Sequence, residues 1–262
     1  MPTPSISLRA FGRAEDLDIA LDVDLAQADR PALVTELLDR CGGHSNAAFW
    51  WSRPVGVRIG ALLRLVALTE ETRTLDVALR CVQPDCGERF EAELPIDELL
   101  ARAPDERASR DGRGEPLRID LPDGRHATLR LPTGEDLRDW RTRPHANPAD
   151  AVAAVIDTLR IDGDLQPGDA TALAEAIAAH DPLVAFSVAG TCPACGAEDE
   201  LPVDLEGLAL QKLARRQQGL LLDVHQLASH YGWTEEQALA VPPRRRARYL
   251  ALIDNDHGGG LP

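Results

Sequence analysis

Two periods of apolar residues run through this chain, and they predict where helices and strands lie. Leu75, Val77 and Leu79 recur at every second position, which predicts a strand, and Phe90 to Ile96 reads as its return strand. Between Pro54 and Leu68 the apolar positions Val55, Ile59, Leu62, Leu63 and Val66 share one face of a helix. Ser5 to Phe11 reads as a short strand. Asp29-Arg30-Pro31 opens a helix reaching about Arg40, with Asp29 as its cap and proline tolerated in the first turn. Pro116 to Pro122 and Arg125 to Leu131 flank Asp123-Gly124, a strong β-hairpin signal. Thr133-Gly134-Glu135-Asp136 resembles a capping box and opens a helix through Trp140. Further helices are expected from Asn147-Pro148 to about Leu159 and from Asp169 to Ala179. Leu183 to Val188 is read as one more strand.

From Leu205 onward the pattern is helical. Leu205, Leu208, Leu213, Leu220, Leu221, Val224 and Leu227 mark a long first helix. Thr234-Glu235-Glu236-Gln237 caps a short one. Pro242-Pro243 breaks it, and a last helix runs from about Arg244 to Ile253. The glycine-containing tail from Asp256 to Pro262 is expected to fray.

The fold class these elements predict is α+β, with two cysteine knuckles on β-hairpins, zinc-ribbon-like, and an inserted hairpin-plus-helices module. The divisions are an N-terminal strand and helices over 1–73, a first knuckle hairpin over 74–100 and a charged, aperiodic linker over 101–115. A hairpin with helices over 116–182, a second knuckle hairpin over 183–204, a helical segment over 205–255 and a disordered tail over 256–262 complete the chain.

The knuckles are Cys81-Val82-Gln83-Pro84-Asp85-Cys86-Gly87 and Cys192-Pro193-Ala194-Cys195-Gly196. Each is followed by the same short text, Leu94-Pro95-Ile96-Asp97 and Leu201-Pro202-Val203-Asp204. A tight turn ending in Cys-Gly presents two thiolates from one loop, and glycine lets the backbone amides turn toward the sulfurs. One structural zinc ion held by Cys81, Cys86, Cys192 and Cys195 is the simplest account, because zinc prefers closed tetrahedral sulfur sites. Structural zinc can contribute on the order of 10 kcal/mol to folding. Three alternatives remain open, the plainest being four unrelated buried thiols. Disulfides fit poorly with sparse, odd-numbered cysteines and no recognisable signal peptide. A redox pair would sit at a helix start, whereas Gly196, Asp199 and Pro202 argue for a hairpin. Cys41, after a helical run, reads as a small core residue.

Composition narrows the function. A net charge of −15 and a pI near 4.8 disfavour nucleic acid as a partner. No apolar run is long enough to span a membrane, so a cytoplasmic location is expected. No P-loop, Gly-x-Ser-x-Gly or His-Glu-x-x-His occurs, and no carboxylate pair stands in apolar surroundings. The expectation is a protein that is not an enzyme and has no small-molecule substrate. His225 and His230, five positions apart, face different sides of a helix.

The run from Asp223 to Ile253 is distinctive, carrying Tyr231-Gly232-Trp233-Thr234-Glu235 and then Arg244-Arg245-Arg246-Ala247-Arg248-Tyr249-Leu250-Ala251-Leu252-Ile253. It resembles the C-terminal signature of baseplate proteins of contractile phage tails, a group that includes phage-derived extracellular contractile injection systems. Trp51-x-x-Pro54-Val55-Gly56, the two Cys-Gly knuckles and Leu131-Pro132-Thr133-Gly134-Glu135-Asp136-Leu137 resemble further features of that group. The longer first knuckle and Pro242-Pro243 depart from it. The resemblance implies a baseplate or hub component, or a chaperone of its assembly, with other baseplate, hub or spike proteins as partners. Tyr231, Trp233, Tyr249, Leu250 and Ile253 can form a small three-helix core with Arg244, Arg245, Arg246 and Arg248 outside it. Those arginines are either a solvated face or a basic docking patch. Phe49-Trp50-Trp51 offers the same choice between core and exposed anchor. The alternative function is a nucleic-acid adaptor, in which a zinc ribbon precedes a helix-turn-helix-like Arg cluster.

Overall fold

The computed structural model describes residues 7–25, 27–43, 47–103, 114–121 and 124–258. The chain opens with a 3-10 turn, Ala14–Asp18. Helix α1 spans Arg30–Cys41, with Asp29 accepting the Ala32 amide as expected. Helices α2 (Ala47–Trp51) and α3 (Val55–Glu70) follow, then the antiparallel hairpin of β1 (Thr74–Arg80) and β2 (Arg89–Pro95), and α4 (Ile96–Ala101). The inserted module contains β3 (Leu117–Asp120), β4 (His126–Leu129), α5 (Gly134–Thr142), α6 (Pro148–Leu159), β5 (Arg160–Gly163) and α7 (Ala170–His180). Strands β6 (Ser187–Thr191) and β7 (Glu198–Pro202) make the second hairpin. The chain ends in α8 (Leu205–Tyr231), α9 (Glu235–Ala240) and α10 (Pro243–Gly258).

The fold is mixed α+β, built from small antiparallel hairpins and a helical C-terminus. Helices α3 and α8 form the spine. Leu62, Leu63, Leu65 and Val66 of α3 and Ala209, Leu210 and Leu213 of α8 lose essentially all solvent contact, with Leu37, Leu38 and Trp50 packed around them. The expected one-sided face of α3 is incomplete, because Val57, Arg58 and Ala61 are buried too. A helix apolar nearly all round belongs in an interior. Gln217 of α8 reaches from that spine to the carbonyls of Leu17 and Ile19, which ties down the N-terminal turn.

Several boundaries differ from the sequence reading. Between Ser5 and Phe11 the described residues make a single bridge, Leu8 with Gly42, and no strand. The linker expected over 101–115 falls mostly on 104–113, outside the described residues. Asp123 of the hairpin turn also lies outside them; β3 and β4 pair antiparallel as expected, but Asp120 faces His126 and Leu121 bonds to Arg125, so the loop spans 122–124 and is one residue longer than an Asp-Gly two-residue turn. The sequence missed β5, which joins β4 where Gly163 has φ 96°. A Cβ at Gly163 would collide with the His126 carbonyl, so this close strand approach requires glycine. The strand expected at Leu183 begins only at Ser187, after a turn that sinks Leu183 and Phe186 into the core. The last helix starts at Pro243, a favoured first helical position, and continues to Gly258 through part of the expected tail. Residues 259–262 lie outside the described residues. Among the described residues, no helix is long and apolar enough to cross a membrane.

Candidate metal centre

The two hairpins end in matching turns. Cys81 donates its amide to the Glu88 carbonyl at 2.8 Å, and Cys192 donates to Ala197 at 2.9 Å. Gly87 (φ 61°) and Gly196 (φ 73°) follow the second cysteine of each turn in the left-handed region. This conformation aims backbone amides at the sulfurs, Gln83 at Cys81, Glu88 at Cys86 and both Cys195 and Ala194 at Cys192.

Tertiary structure then brings the turns together. The Cys81 and Cys195 sulfurs lie 3.7 Å apart, as do those of Cys86 and Cys192. All four sulfurs fall within 4.8 Å of one another. Both of these distances run between the hairpins. They are far from the S–S bond length of about 2.05 Å, and all five cysteines are free thiols. A tetrahedral ion with Zn–S bonds of about 2.3 Å would set its sulfurs about 3.8 Å apart. The four thiols therefore form a site that can hold a metal ion.

Electrostatics favours a cation here. Two backbone amides, led by that of Cys195, pull Cys192 down to about 7. Cys81 rises to about 12: the Gln83 amide favours its thiolate, but desolvation and the neighbouring thiols outweigh it. Cys86 is raised as well; desolvation and its neighbours overcome the Glu88 amide. One thiolate forms readily, and its charge opposes the next. Only a positive ion among the sulfurs stabilises several thiolates together.

Other contacts hold the two turns in place. The side-chain amide of Gln83 donates to Asp199 at 3.0 Å across the hairpins. Lys212 on α8 meets Asp76 on β1 at 2.9 Å, and Arg30 on α1 meets Asp204 at 2.6 Å. The repeated text is offset in use. Pro95 directly precedes α4, whereas the second helix starts two positions later in the repeat, at Leu205, with Asp204 capping Gly207. Leu94, Ile96, Leu201 and Val203 are buried in both copies.

The other singled-out residues separate into two groups. Tyr231, Trp233 and Tyr249 form one aromatic cluster, with ring centroids 5.1 to 5.7 Å apart. With Leu227, Ala238 and Ile253 they make a small core of α8, α9 and α10. Arg244, Arg245 and Arg248 are exposed as expected. Arg246 is not: it is buried and meets Asp223 at 3.2 Å, because its position on α10 turns it toward α8. Trp50 is not an exposed anchor, since it lies at 0 % exposure in the main core. Trp51 is half-buried, with Arg58 and Arg138 over its ring at 5.3 and 4.6 Å.

Sequence reasoning passed over Arg58 and Asp181. Arg58 is 1 % exposed and donates to the carbonyls of Trp50 and Pro31. A lone arginine inside an apolar helical run was the available signal. Asp181, after α7, accepts the Gly56 amide at 3.0 Å and so caps α3 from outside. Desolvation raises it to about 6. No local pattern announces a cap supplied from so far along the chain. No family model, curated protein or solved structure matches this chain.

Proposed function

We propose that the protein is a non-enzymatic structural component or assembly chaperone of a contractile phage-tail or injection-system baseplate, stabilised by one structural zinc ion. The observation that carries the metal reading is the convergence of four sulfurs from two distant hairpins, at spacings that suit a tetrahedral ion. Zinc would supply positive charge that holds four thiolates together. Cys81 and Cys86 would bind from one hairpin, and Cys192 and Cys195 from the other. Four thiolates complete a tetrahedral shell, so no position is left for a substrate or a reactive water. That supports a clamp in preference to a catalytic centre. The clamp closes the chain on either side of the inserted module.

The baseplate reading is supported by the residues that carry the sequence resemblance. Those of the Asp223 to Ile253 run cluster in one compact C-terminal unit with Arg244, Arg245 and Arg248 on its outside. Exposed arginines on an otherwise acidic protein suit contact with an acidic protein partner. The same acidity weighs against the nucleic-acid reading.

Metal analysis of the purified chain, with Cys81→Ser and Cys192→Ser beside it, tests the clamp. One zinc per chain is expected, with metal content falling in both variants. Full occupancy in either variant would rule out the shared site. The baseplate reading is tested separately by co-expression with baseplate, hub and spike proteins. A stable complex that weakens when Arg244, Arg245 and Arg248 become glutamate is expected. A chain that purifies alone beside all of them sinks that reading and leaves the metal site untouched.

A further inference from the structure

Helices α6 and α7 are unusual for surface helices. The only charged side chains of α6 are Asp150 and Asp157, and α7 has Glu175 with a terminal His180. Otherwise both are mostly alanine and aliphatic residues. Their inner sides cover the six-residue core of Ile119, Leu121, Leu129, Ile156, Leu159 and Leu173. Between them the outer sides leave an open groove of about 560 Å³. Val152, Val155, Ala174 and Ile177 form its walls, and Leu129 and Leu159 its floor. Val152 is 38 % exposed. A helix apolar nearly all round is normally covered, and an open apolar patch rimmed by charge marks an interaction site. The charged side chains next to that lining along the two helices are acidic, Asp150 beside Ala151 and Glu175 beside Ala174. Asp157 is also bonded to Arg160 at 3.1 Å, so Asp150 and Glu175 are the principal contributors of negative charge.

The same chain presents a matching surface at its other end. On α10, Arg246, Tyr249, Leu250 and Ile253 turn inward. Arg244, Arg248 and Leu252, four residues apart, line the outward face, with Arg245, Ala247 and Ala251 beside them. Leu252 is 55 % exposed. Two alanines allow close approach, the leucine offers an apolar knob, and the arginines are long enough to reach acidic rims. Val152 and Leu252 are both exposed in one chain, so that chain does not make this contact with itself.

We infer that the α6–α7 groove receives α10 of a second copy of this chain, with Leu252 over the apolar floor and Arg244, Arg245 and Arg248 against Asp150 and Glu175. A helix laid in a groove with complementary charge is a recurring mode of recognition. Because the two patches differ, the contact is head-to-tail. Such contacts build rings where the rotation closes and filaments where it does not. The metal centre does not enter the argument; the arginines are those offered above to a baseplate partner, and Val152→Asp, which leaves them untouched, separates the two readings.

Sedimentation equilibrium over a range of concentrations tests it. The wild-type chain is expected above its single-chain mass of 28.4 kDa, with association weakening as salt rises. Val152→Asp destroys the groove, and the triple change of Arg244, Arg245 and Arg248 to Glu destroys the helix face. Each is expected to sediment as one chain with unchanged circular dichroism, and Ala174→Glu substitutes for Val152→Asp should the latter unfold. Mixing the groove variant with the helix variant is expected to restore a 1:1 pair, because each supplies the half the other lacks. A wild-type chain that stays at single-chain mass up to about 1 mM overturns the inference. So does association that both variants retain. A monomeric chain whose groove binds a synthetic Leu/Arg amphipathic helix, with loss in Val152→Asp, would place another protein's helix there and overturn the second-copy assignment.

Discussion

Arg58 and Arg130 each anchor a helix junction, one in the body of the protein and the other in the inserted module. Arg58 is 1 % exposed, meets no carboxylate directly, and gives its donors to two carbonyl oxygens. Desolvation lowers its pKa to about 10. Arg130 keeps a quarter of its side chain in solvent and forks onto Asp136 at 2.5 and 2.7 Å, and that bond raises its pKa. The body can bury this guanidinium because α1 and α2 provide oxygens in fixed places, the carboxylate of Glu206 on α8 adds a favourable charge, and close-packed apolar residues surround it. The module has a thin core, so its polar contacts sit where water still reaches them, as the Arg125–Asp169 pair does at 2.9 Å. The difference teaches that the body is specified by depth of packing. The module is held by strand register, caps and half-exposed ion pairs, and still has an apolar face left over.

If the four-cysteine site holds the proposed zinc, removing it should separate the two regions most. A strong chelator is expected to cost the body on the order of 10 kcal/mol, more than most domains have to spare. Loss of cooperative unfolding on chelation, read by denaturant titration with and without zinc, would check this. An unchanged unfolding curve would contradict it. Next in size, Arg58→Ala should cost about 3–5 kcal/mol, by taking one donor from each of two buried carbonyls and leaving a void between α1 and α3. Arg130→Ala should cost less, since its surroundings are wet. Equal losses in the two variants would erase the contrast.

The seam between the regions should respond to pH. Asp181 has a folded pKa raised from 3.8 to about 6 by desolvation. The folded state therefore keeps a proton that the unfolded state releases, and stability falls as pH rises between those two values. The loss is about 3 kcal/mol and is complete above the folded pKa. Asp16 and Asp136, whose pKa values are lowered by bonds to Arg9 and Arg130 despite their burial, act in the opposite sense below 3.8. Asp181→Asn should thus remove the decline between 3.8 and 6 and leave the acid limb in place. Denaturant midpoints measured across pH for both proteins would show it. The smallest effect expected is that of Thr133→Ala, about 1 kcal/mol. Thr133 caps α5 and donates to Asp136 at 2.8 Å. Hydrogen exchange should report it as faster opening of α5 with little change in α3.

Much of the local structure was legible in the chain. Asp29, Thr133, Asn147 and Thr234 each cap a helix where their side chains predicted it. Capping depends on a few adjacent residues, so it can be read without a fold. The alternation of Leu75, Val77 and Leu79 likewise marked β1. Strand β5 was hidden because Arg160 to Gly163 has no alternation of its own. It becomes a strand only because β4 offers it an edge. Arg246 was misplaced, and Trp50 left open between core and surface, for a related reason. An aromatic triplet or an arginine run does not say which member turns inward; the neighbouring helix decides that.

The four cysteines draw the same line. Spacing within Cys81 to Cys86 and Cys192 to Cys195, each closed by glycine, was enough to read two ligand-bearing turns, because turn geometry is set by residues a few bonds apart. Which sulfur meets which was decided only by tertiary structure. Cys81 faces Cys195 and Cys86 faces Cys192 because α3 and α8 pack together and carry the two hairpins into register. Burial of Arg58, the Asp181 cap on α3 and the uncovered groove of α6 and α7 belong to the same class. Each depends on segments far apart along the chain, and local pattern has no access to what those segments will meet.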